Sequence, residues 1–585
     1  ALCLGVLLAV SAASEAADGR LRALALEGGG FRAFAAETGL FAGLLAAQGR
    51  SRGLARPTLA SSGILEGIDL VSSVSGSSWF TAELAYSGRF LALVEGMAAS
   101  PSTAASQFEA AWTNPWLLAS NVDERKFNLL GWAARQIVAS LLGSGDEDTI
   151  FMLTSFLATG FTWEHFVDVL LNSTASIGPE LTLGSPVQSW ASGKLWLVDH
   201  AAVLPSPAKP ARIYQSALLL PQVSYAAAYA PVPHEAPPQF LPAAFNVQFG
   251  AGRNASAPLP YIAPSAIEGL EGFGYEGQVF PLLPGPRAST RAVGSDLAQG
   301  RVSEAAGALP VAGVAAASSA FLGSIEVASE LLDEVLALVR GNVAPWVAAA
   351  PGGEAFAAAD NLRDRLGKPG GVSQDTVDAL AAQSVHAVID GGFADGTGLA
   401  QAVAAGATEV FVVLNSNASN RALYVERLFT GGPPPTTPGV SPLLFPVFEQ
   451  PSAAQVRFDF QRFRRLRLPS GSRYLKVLAV GTVLATTAEN KYFGIQRGRS
   501  VKITVVNIGS TLTIGELENI HHYDALASEV LATILHADNS AVVSGSLLPS
   551  LLGTAPAAGA GSGGSTLRIW EGEPMASGAS RAVFV

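Results

Sequence analysis

Hydrophobic and polar positions divide the N-terminal hundred residues into two copies of one grammar. Arg20 to Glu27 (RLRALALE) alternates apolar and polar residues, runs into Gly28-Gly29-Gly30, and is followed by an Ala-, Leu- and Phe-rich stretch from Phe31 to Gln48. That order predicts strand, tight glycine turn, helix. Gly67 to Val74 (GIDLVSSV) repeats it as a short buried strand, with a turn through Ser75-Gly76 and a helix over Ser77 to Phe90. The pattern resumes late in the chain. Val385 to Ile389 reads as a strand ending at Asp390-Gly391-Gly392, Gly398 to Ala405 as a helix, and Glu409 to Leu414 (EVFVVL) as another buried strand. Strands alternating with helices predict an α/β fold, a layered sheet flanked by helices.

About three hundred residues separate the two blocks, including the proline-rich run Ala230 to Pro242. An unstructured connection of that length is abnormal in a compact domain, so residues of about 100–380 are expected to form structured, lid-type insertions over the site. Ala308 to Ile325 is uncharged but built of Ala, Gly and Ser around Pro310, which suits a tightly packed core helix better than lipid. Another surface loop is expected at Pro433-Pro434-Pro435, and a low-complexity tail over 541–585, centred on Gly553 to Ser565. The catalytic unit is thus expected over 18–540.

Composition narrows the function. At 585 residues, with 49% hydrophobic and 14% charged residues, the chain can bury a large core. A net charge of −11 argues against a nucleic-acid partner. Leu2 to Val10 is apolar, and small residues follow through Ala17. This is the h-region and cleavage zone of a signal peptide over 1–17, which predicts a secreted or lumenal protein. The one cysteine, Cys3, lies within it. The triplets beginning at Asn172, Asn254 and Asn417 fit glycosylation along that route.

Candidate chemistry sits at the three glycine-flanked turns. Ser75 lies at a strand-to-helix turn, where small neighbours Ser73 and Ser77 tolerate a sharp bend and the helix dipole favours developing negative charge. A serine-rich loop or cap is the plain alternative. Gly28-Gly29-Gly30 lets backbone N–H groups converge as an anion nest; a phosphate loop fails because no Lys-Ser or Lys-Thr follows at the required spacing. Asp390 ends a buried strand, where ligand and catalytic groups of open sheets collect, although an Asx-turn also explains it.

Taken in this order, the three segments resemble the catalytic domain shared by cytosolic phospholipase A2, patatin and the secreted fungal lysophospholipases. In that family a GGG[FY]RA segment forms the oxyanion hole, G-x-S-G-[GS]-x-W carries the nucleophile, and D-G-G or D-S-G supplies the base. The matching positions are Gly28 to Ala33, Ser73 to Trp79 and Asp390 to Gly392, with Ser73 where the family usually has glycine. The resemblance implies a Ser75–Asp390 dyad, an oxyanion hole at Gly28, Gly29 and Gly30, and Arg32 stabilising the site or a substrate phosphate. It also implies a phospholipid or lysophospholipid substrate, with no cofactor and no metal. A general carboxylesterase or triglyceride lipase, and a catalytically silent lipid-binding protein, stand as alternatives.

A Ser-His-Asp triad is the rival mechanism, since His521 and His522 follow Asp390 in the chain order of α/β-hydrolases. The segment lacks the flanking glycines of G-x-S-x-G, which favours the dyad. Finally, Arg457 to Lys476 interleaves basic and aromatic residues. It reads either as a solvated face or as a transient contact with an anionic membrane surface.

Overall fold

The fold is described from a computed structural model, covering residues 21–120, 163–203, 240–249, 261–262, 310–319, 344–347, 385–417, 446–449, 463–490, 493, 495–512 and 519–552. The expected signal peptide, most of the 100–380 insertions, the proline-rich run up to residue 239, Pro433 to Pro435, Asn254, residues 457–462 and the tail after 552 lie outside the described residues.

Both N-terminal copies of the grammar form. Strand β1 (Arg22–Leu26) leads through the glycines into helix α1 (Gly30–Ser51), and β2 (Leu70–Val74) leads through Ser75 into α2 (Gly76–Tyr86). The second helix is shorter than the pattern predicts. Ser87 ends it and caps a new helix, α3 (Gly88–Ala99), by accepting from the Phe90 N–H at 3.0 Å. A four-turn helix α4 (Trp163–Ala175) precedes β3 (Leu195–Val203), β4 (Phe240–Gln248) and β5 (Tyr261–Ile262). The Ala- and Gly-rich segment forms α5 (Val311–Ser318), buried along its whole length behind Pro310, and β6 (Ala344–Val347) follows. The third block supplies β7 (Val385–Asp390), α6 (Leu399–Ala404) and β8 (Glu409–Asn417). Strands β9 (Arg464–Arg465), β10 (Leu475–Thr486) and β11 (Ser500–Ser510) and helix α7 (His521–Ile534) complete the unit.

The eleven strands among the described residues join one sheet, ordered β5-β4-β3-β2-β1-β8-β11-β10-β9, with β7 beside β3 and β6 beside β7. Its centre, β3-β2-β1-β8-β11, is parallel, and its margins are antiparallel. Central strands are buried on both faces: Ala23 to Leu26, all of β2, and Val410 to Leu414 are inaccessible. The apolar–polar alternation read in Arg20 to Glu27 therefore stops at Arg22, and small Ala alternates with large Leu because helices cover both faces of a parallel sheet. On α1, Gly39 and Gly43 let α7 approach so closely that a Cβ at Gly39 would stand 2.1 Å from the Ala527 carbonyl oxygen.

The packed unit also runs further than the tail reading allows. Residues 541–552 are helical, and Val543, Leu547, Leu548 and Leu551 are buried, so the expected tail can begin only after Leu552. Within the basic segment, Arg464 and Arg465 are exposed on β9 at the sheet margin, whereas Arg467 pairs with Asp538 at 2.7 Å. Phe463 lies directly on Gly481, and Tyr474 stacks on His522.

Candidate active site

One edge of β3 brings the key turns together. β4 occupies the other edge along the full length of β3. On the remaining edge, β2 pairs in parallel with Leu195 to Asp199, ending at Val74 opposite Asp199. From His200 onward that edge is taken by β7, running antiparallel, with Asp390 opposite His200. The C-terminal ends of β2 and β7 thus meet head-on. The residue after Val74 is Ser75, and the last residue of β7 is Asp390.

Ser75 Oγ donates to Asp390 Oδ2 at 2.6 Å. The other carboxylate oxygen, Oδ1, accepts from the Gly392 N–H at 2.7 Å. The Asx-turn and the contact with serine therefore coexist, one on each oxygen. Burial pushes Asp390 up to about 6, and the hydrogen bonds from Ser75 and Gly392 only partly offset that.

The turn at Ser75 is sharp. Its φ of 55° and ψ of −127° are left-handed, a conformation costing a non-glycine residue about 1–3 kcal/mol and concentrated at functional sites. Sterically, Gly28 and Gly76 are tight positions. A Cβ at Gly28 would stand 2.8 Å from Ser75 Cβ, and one at Gly76 would stand 2.4 Å from the Gly30 carbonyl oxygen and 2.6 Å from Gly30 Cα. The N-termini of α1 and α2 are in backbone contact here, so their positive dipole ends converge. Phe31 packs on Trp79 and Trp112, at centroid distances of 5.7 and 5.4 Å, and fixes the approach.

Oxyanion donors divide accordingly. The Gly28 N–H is already spent on the Gly396 carbonyl at 3.2 Å, which removes Gly28 from the expected set; its part is to leave room for Ser75. Among the described residues, the N–H groups of Gly29, Gly30 and Gly76 have no partner. Gly76 was not foreseen, although a residue following a serine at a helix N-terminus is a standard source of such a donor. Arg32 is turned to the neighbouring strand ends, donating from Nη2 to the Asn415 carbonyl at 2.8 Å and from Nη1 to that of Leu512 at 3.4 Å. Ser318, at the end of α5, was also missed: its Oγ accepts from the Ser75 N–H at 3.1 Å.

The rival serine and histidines fall elsewhere. Ser77 Oγ donates to the Glu27 carbonyl at 2.6 Å and lies 2.5 Å from Glu37 Oε1. Burial pushes Glu37 well above the usual carboxylate range, and hydrogen bonds donated by Ser77 and Asn415 only partly offset it. His521 Nδ1 sits 3.0 Å from Asp524 Oδ2 and 3.8 Å from Glu109 Oε1. These three residues are the described His–carboxylate group with ligand-type atoms close enough for a cation, within 4.8 Å of one another, but Asp524 is already held by Thr113 Oγ1 at 2.5 Å. Among side chains the structure describes, Ser75 Oγ contacts Asp390 and no histidine.

Several acids beneath the site are neutral at neutral pH. Burial raises Glu27 to about 8, opposed by Arg32 and Asn415, and raises Glu83 to about 8, opposed by Thr174 and Trp112. Their folded values exceed their unfolded ones, so their contribution is intact below about pH 4.5 and is lost as pH rises towards 8. Each group costs about 1.4 kcal/mol per pH unit over that window. Urea unfolding should therefore show lower stability at pH 7.5 than at pH 5.5, and Glu83→Gln should flatten the slope. A stability that rises across this window would contradict the assignment.

No family model matches the chain, and no curated protein matches it. Among solved structures, human GIVD cytosolic phospholipase A2 matches with a TM-score of 0.35 and 10% identity, over 91% of this chain and 62% of that one. The chain thus spans about 62% of the length of that neighbour.

Proposed function

We propose that the protein hydrolyses fatty-acyl esters of phospholipids or lysophospholipids, with Ser75 as nucleophile and Asp390 as its base. The observation that carries this reading is the 2.6 Å hydrogen bond from a serine held at positive φ to a buried carboxylate. The lipid part of the proposal rests on the GGGFRA, SVSGSSW and DGG segments.

Ser75 Oγ attacks the ester carbonyl carbon as its proton passes to Asp390 Oδ2. Negative charge collects on the former carbonyl oxygen, where Gly29, Gly30 and Gly76 supply N–H donors at two helix N-termini. Collapse expels the lysolipid or glycerophospho-alcohol, which takes the proton back from Asp390 and leaves an acyl ester on Ser75. Water then attacks, again deprotonated by Asp390, and the fatty acid departs. Asp390 titrates near 6, and is therefore ionised at neutral pH while remaining a stronger base than a solvated aspartate. Arg32 acts in this scheme by tying α1 to the ends of β8 and β11. Export through the leader, and contact of exposed Arg464 and Arg465 with an anionic bilayer, belong to the same proposal.

A fluorophosphonate probe tests it. The wild type is expected to be labelled at Ser75 and to release fatty acid from lysophospholipid vesicles, and Ser75→Ala to do neither. Labelling that survives in Ser75→Ala would transfer the role to another serine. An unlabelled wild type would leave a lipid-binding protein, and turnover of neutral esters without phospholipid would favour a general carboxylesterase.

A further inference from the structure

Beneath the turn, buried hydroxyls form a chain whose direction is set at both ends. The Trp196 indole can only donate, and it donates to Ser73 Oγ at 2.8 Å. A carbonyl can only accept, and that of Asp199 accepts from Ser318 Oγ at 2.7 Å. Between them, Ser73 Oγ lies 3.3 Å from Ser78 Oγ, which lies 2.9 Å from Ser318 Oγ and 3.2 Å from the Ser73 carbonyl. Each hydroxyl has one proton. Ser318 spends its proton on Asp199, so at the contact with Ser78 it accepts, and the Ser78 proton is shared between Ser318 and the Ser73 carbonyl as a bifurcated bond. Ser73 accepts from the indole and is left to donate to Ser78. The second lone pair of Ser318 then receives the Ser75 N–H at 3.1 Å, which satisfies the Ser318 hydroxyl completely.

We propose that Ser318 is a positioning residue for the nucleophile, holding the Ser75 backbone in its left-handed conformation, with Trp196, Ser73 and Ser78 orienting the hydroxyl that does so. The proposal rests on the Ser75–Asp390 reading. Three further facts support it. The Ser318 carbonyl accepts from the Gly391 N–H at 3.2 Å, so one residue ties the Ser75 turn to the residue that follows Asp390. Neighbouring Ser319 is anchored by the Trp79 indole at 2.9 Å, from the helix that Ser75 starts. Ser73, which stands where the resembling family usually has glycine, acquires a use, because glycine there would leave the Trp196 indole without this acceptor. The arrangement also withholds the Ser75 N–H from the oxyanion and leaves that task to the glycines.

Ser318→Ala and Ser78→Ala in the full chain separate positioning from packing. Both remove one buried hydroxyl, but only the first releases the Ser75 N–H. Ser318→Ala is expected to lower kcat on a short-chain ester, and the fluorophosphonate labelling rate, by about 30- to 100-fold. KM should stay within about twofold, because substrate binding is not touched. The acid limb of the pH profile should stay near that of the wild type, since Asp390 keeps its partners. Ser78→Ala should lose about fivefold or less, as Ser318 retains Ser75 and Asp199. Equal losses in the two variants, or a Ser318→Ala rate within about threefold of wild type, would overturn the proposal while Ser75→Ala stays unlabelled. Labelling in Ser75→Ala would instead remove the dyad itself. Should Ser318→Ala fail to fold, Ser318→Cys keeps the side chain and replaces the hydroxyl that accepts the Ser75 N–H with a weakly accepting thiol. About a tenfold loss in kcat at constant KM supports the proposal, and a wild-type rate overturns it.

Discussion

Asp390→Asn is expected to lower kcat by about 10³- to 10⁴-fold, the range lost when a general base is removed, while leaving the protein folded. The reason lies in which atom faces which. The Gly392 N–H occupies one oxygen at 2.7 Å, and an asparagine keeps that bond only by turning its carbonyl oxygen there. Its amide nitrogen then faces Ser75 Oγ and donates to it, reversing the polarity of the 2.6 Å hydrogen bond. The serine keeps its place and loses the group that takes its proton. Stability should move the other way. Raising an aspartate from 3.8 to about 6 costs about 3 kcal/mol at pH values well above 6, and a neutral amide escapes that cost. Asp390→Asn should consequently be at least as stable as the wild type at pH 8, with no advantage at pH 4. The wild-type rate should fall off on the acid side near pH 6, and residual activity of the variant should lack that limb. Activity above about a tenth of wild type, or a marked fall in melting temperature at pH 8, would show that Asp390 is structural.

Gly76→Ala should be the most damaging single methyl at the site. Its Cβ would meet the backbone of Gly30 on three sides, at 2.4 Å from the carbonyl oxygen and 2.6 Å from both Cα and N. None of those atoms can rotate away. Alanine gains up to about 1 kcal/mol in intrinsic helix propensity, less at the first helical position, whereas overpacking costs about 3 kcal/mol where the backbone must shift. The clash therefore wins, and α1 and α2 are driven apart at the point where the Gly29, Gly30 and Gly76 donors gather. A lowered denaturation midpoint together with slow fluorophosphonate labelling is expected. Gly545→Ala is the control: nothing lies within 4 Å of its Cβ position, and its stability should stay the same or rise by up to about 1 kcal/mol through helix propensity. If the two variants behave alike, the close approach of the helices has no energetic weight.

Much of the centre was legible from local pattern. The strands ending at Leu26, Val74 and Asp390, and the helices after the first two, fall within a few residues of expectation, because runs of apolar residues bounded by glycine are local signals. Errors came from a local cap read as helix and from contacts that are distant in sequence. The helix starting at Gly76 ends at Tyr86 because Ser87 caps a new one. Gly28 entered the donor set because its neighbours did, and its N–H was claimed by Gly396, a residue 368 positions away. Residues 541–552 border the low-complexity run from Gly553 and read as tail with it, yet Leu547 and Leu551 find a core to enter.

By itself, the sequence determined the α/β layering, the three glycine-flanked turns and the identity of two residues able to exchange a proton. Periodicity and backbone permissiveness are properties of neighbours along the chain, and they survive without the rest of the fold. Tertiary structure alone decided that those residues meet. Ser75 and Asp390 are 315 positions apart, and they touch because β7 runs against β2 along one edge of β3, a pairing that no local pattern encodes. It also decided the assignment of Gly28 and the place of Ser318, since each depends on which acceptor lies within reach of a given N–H.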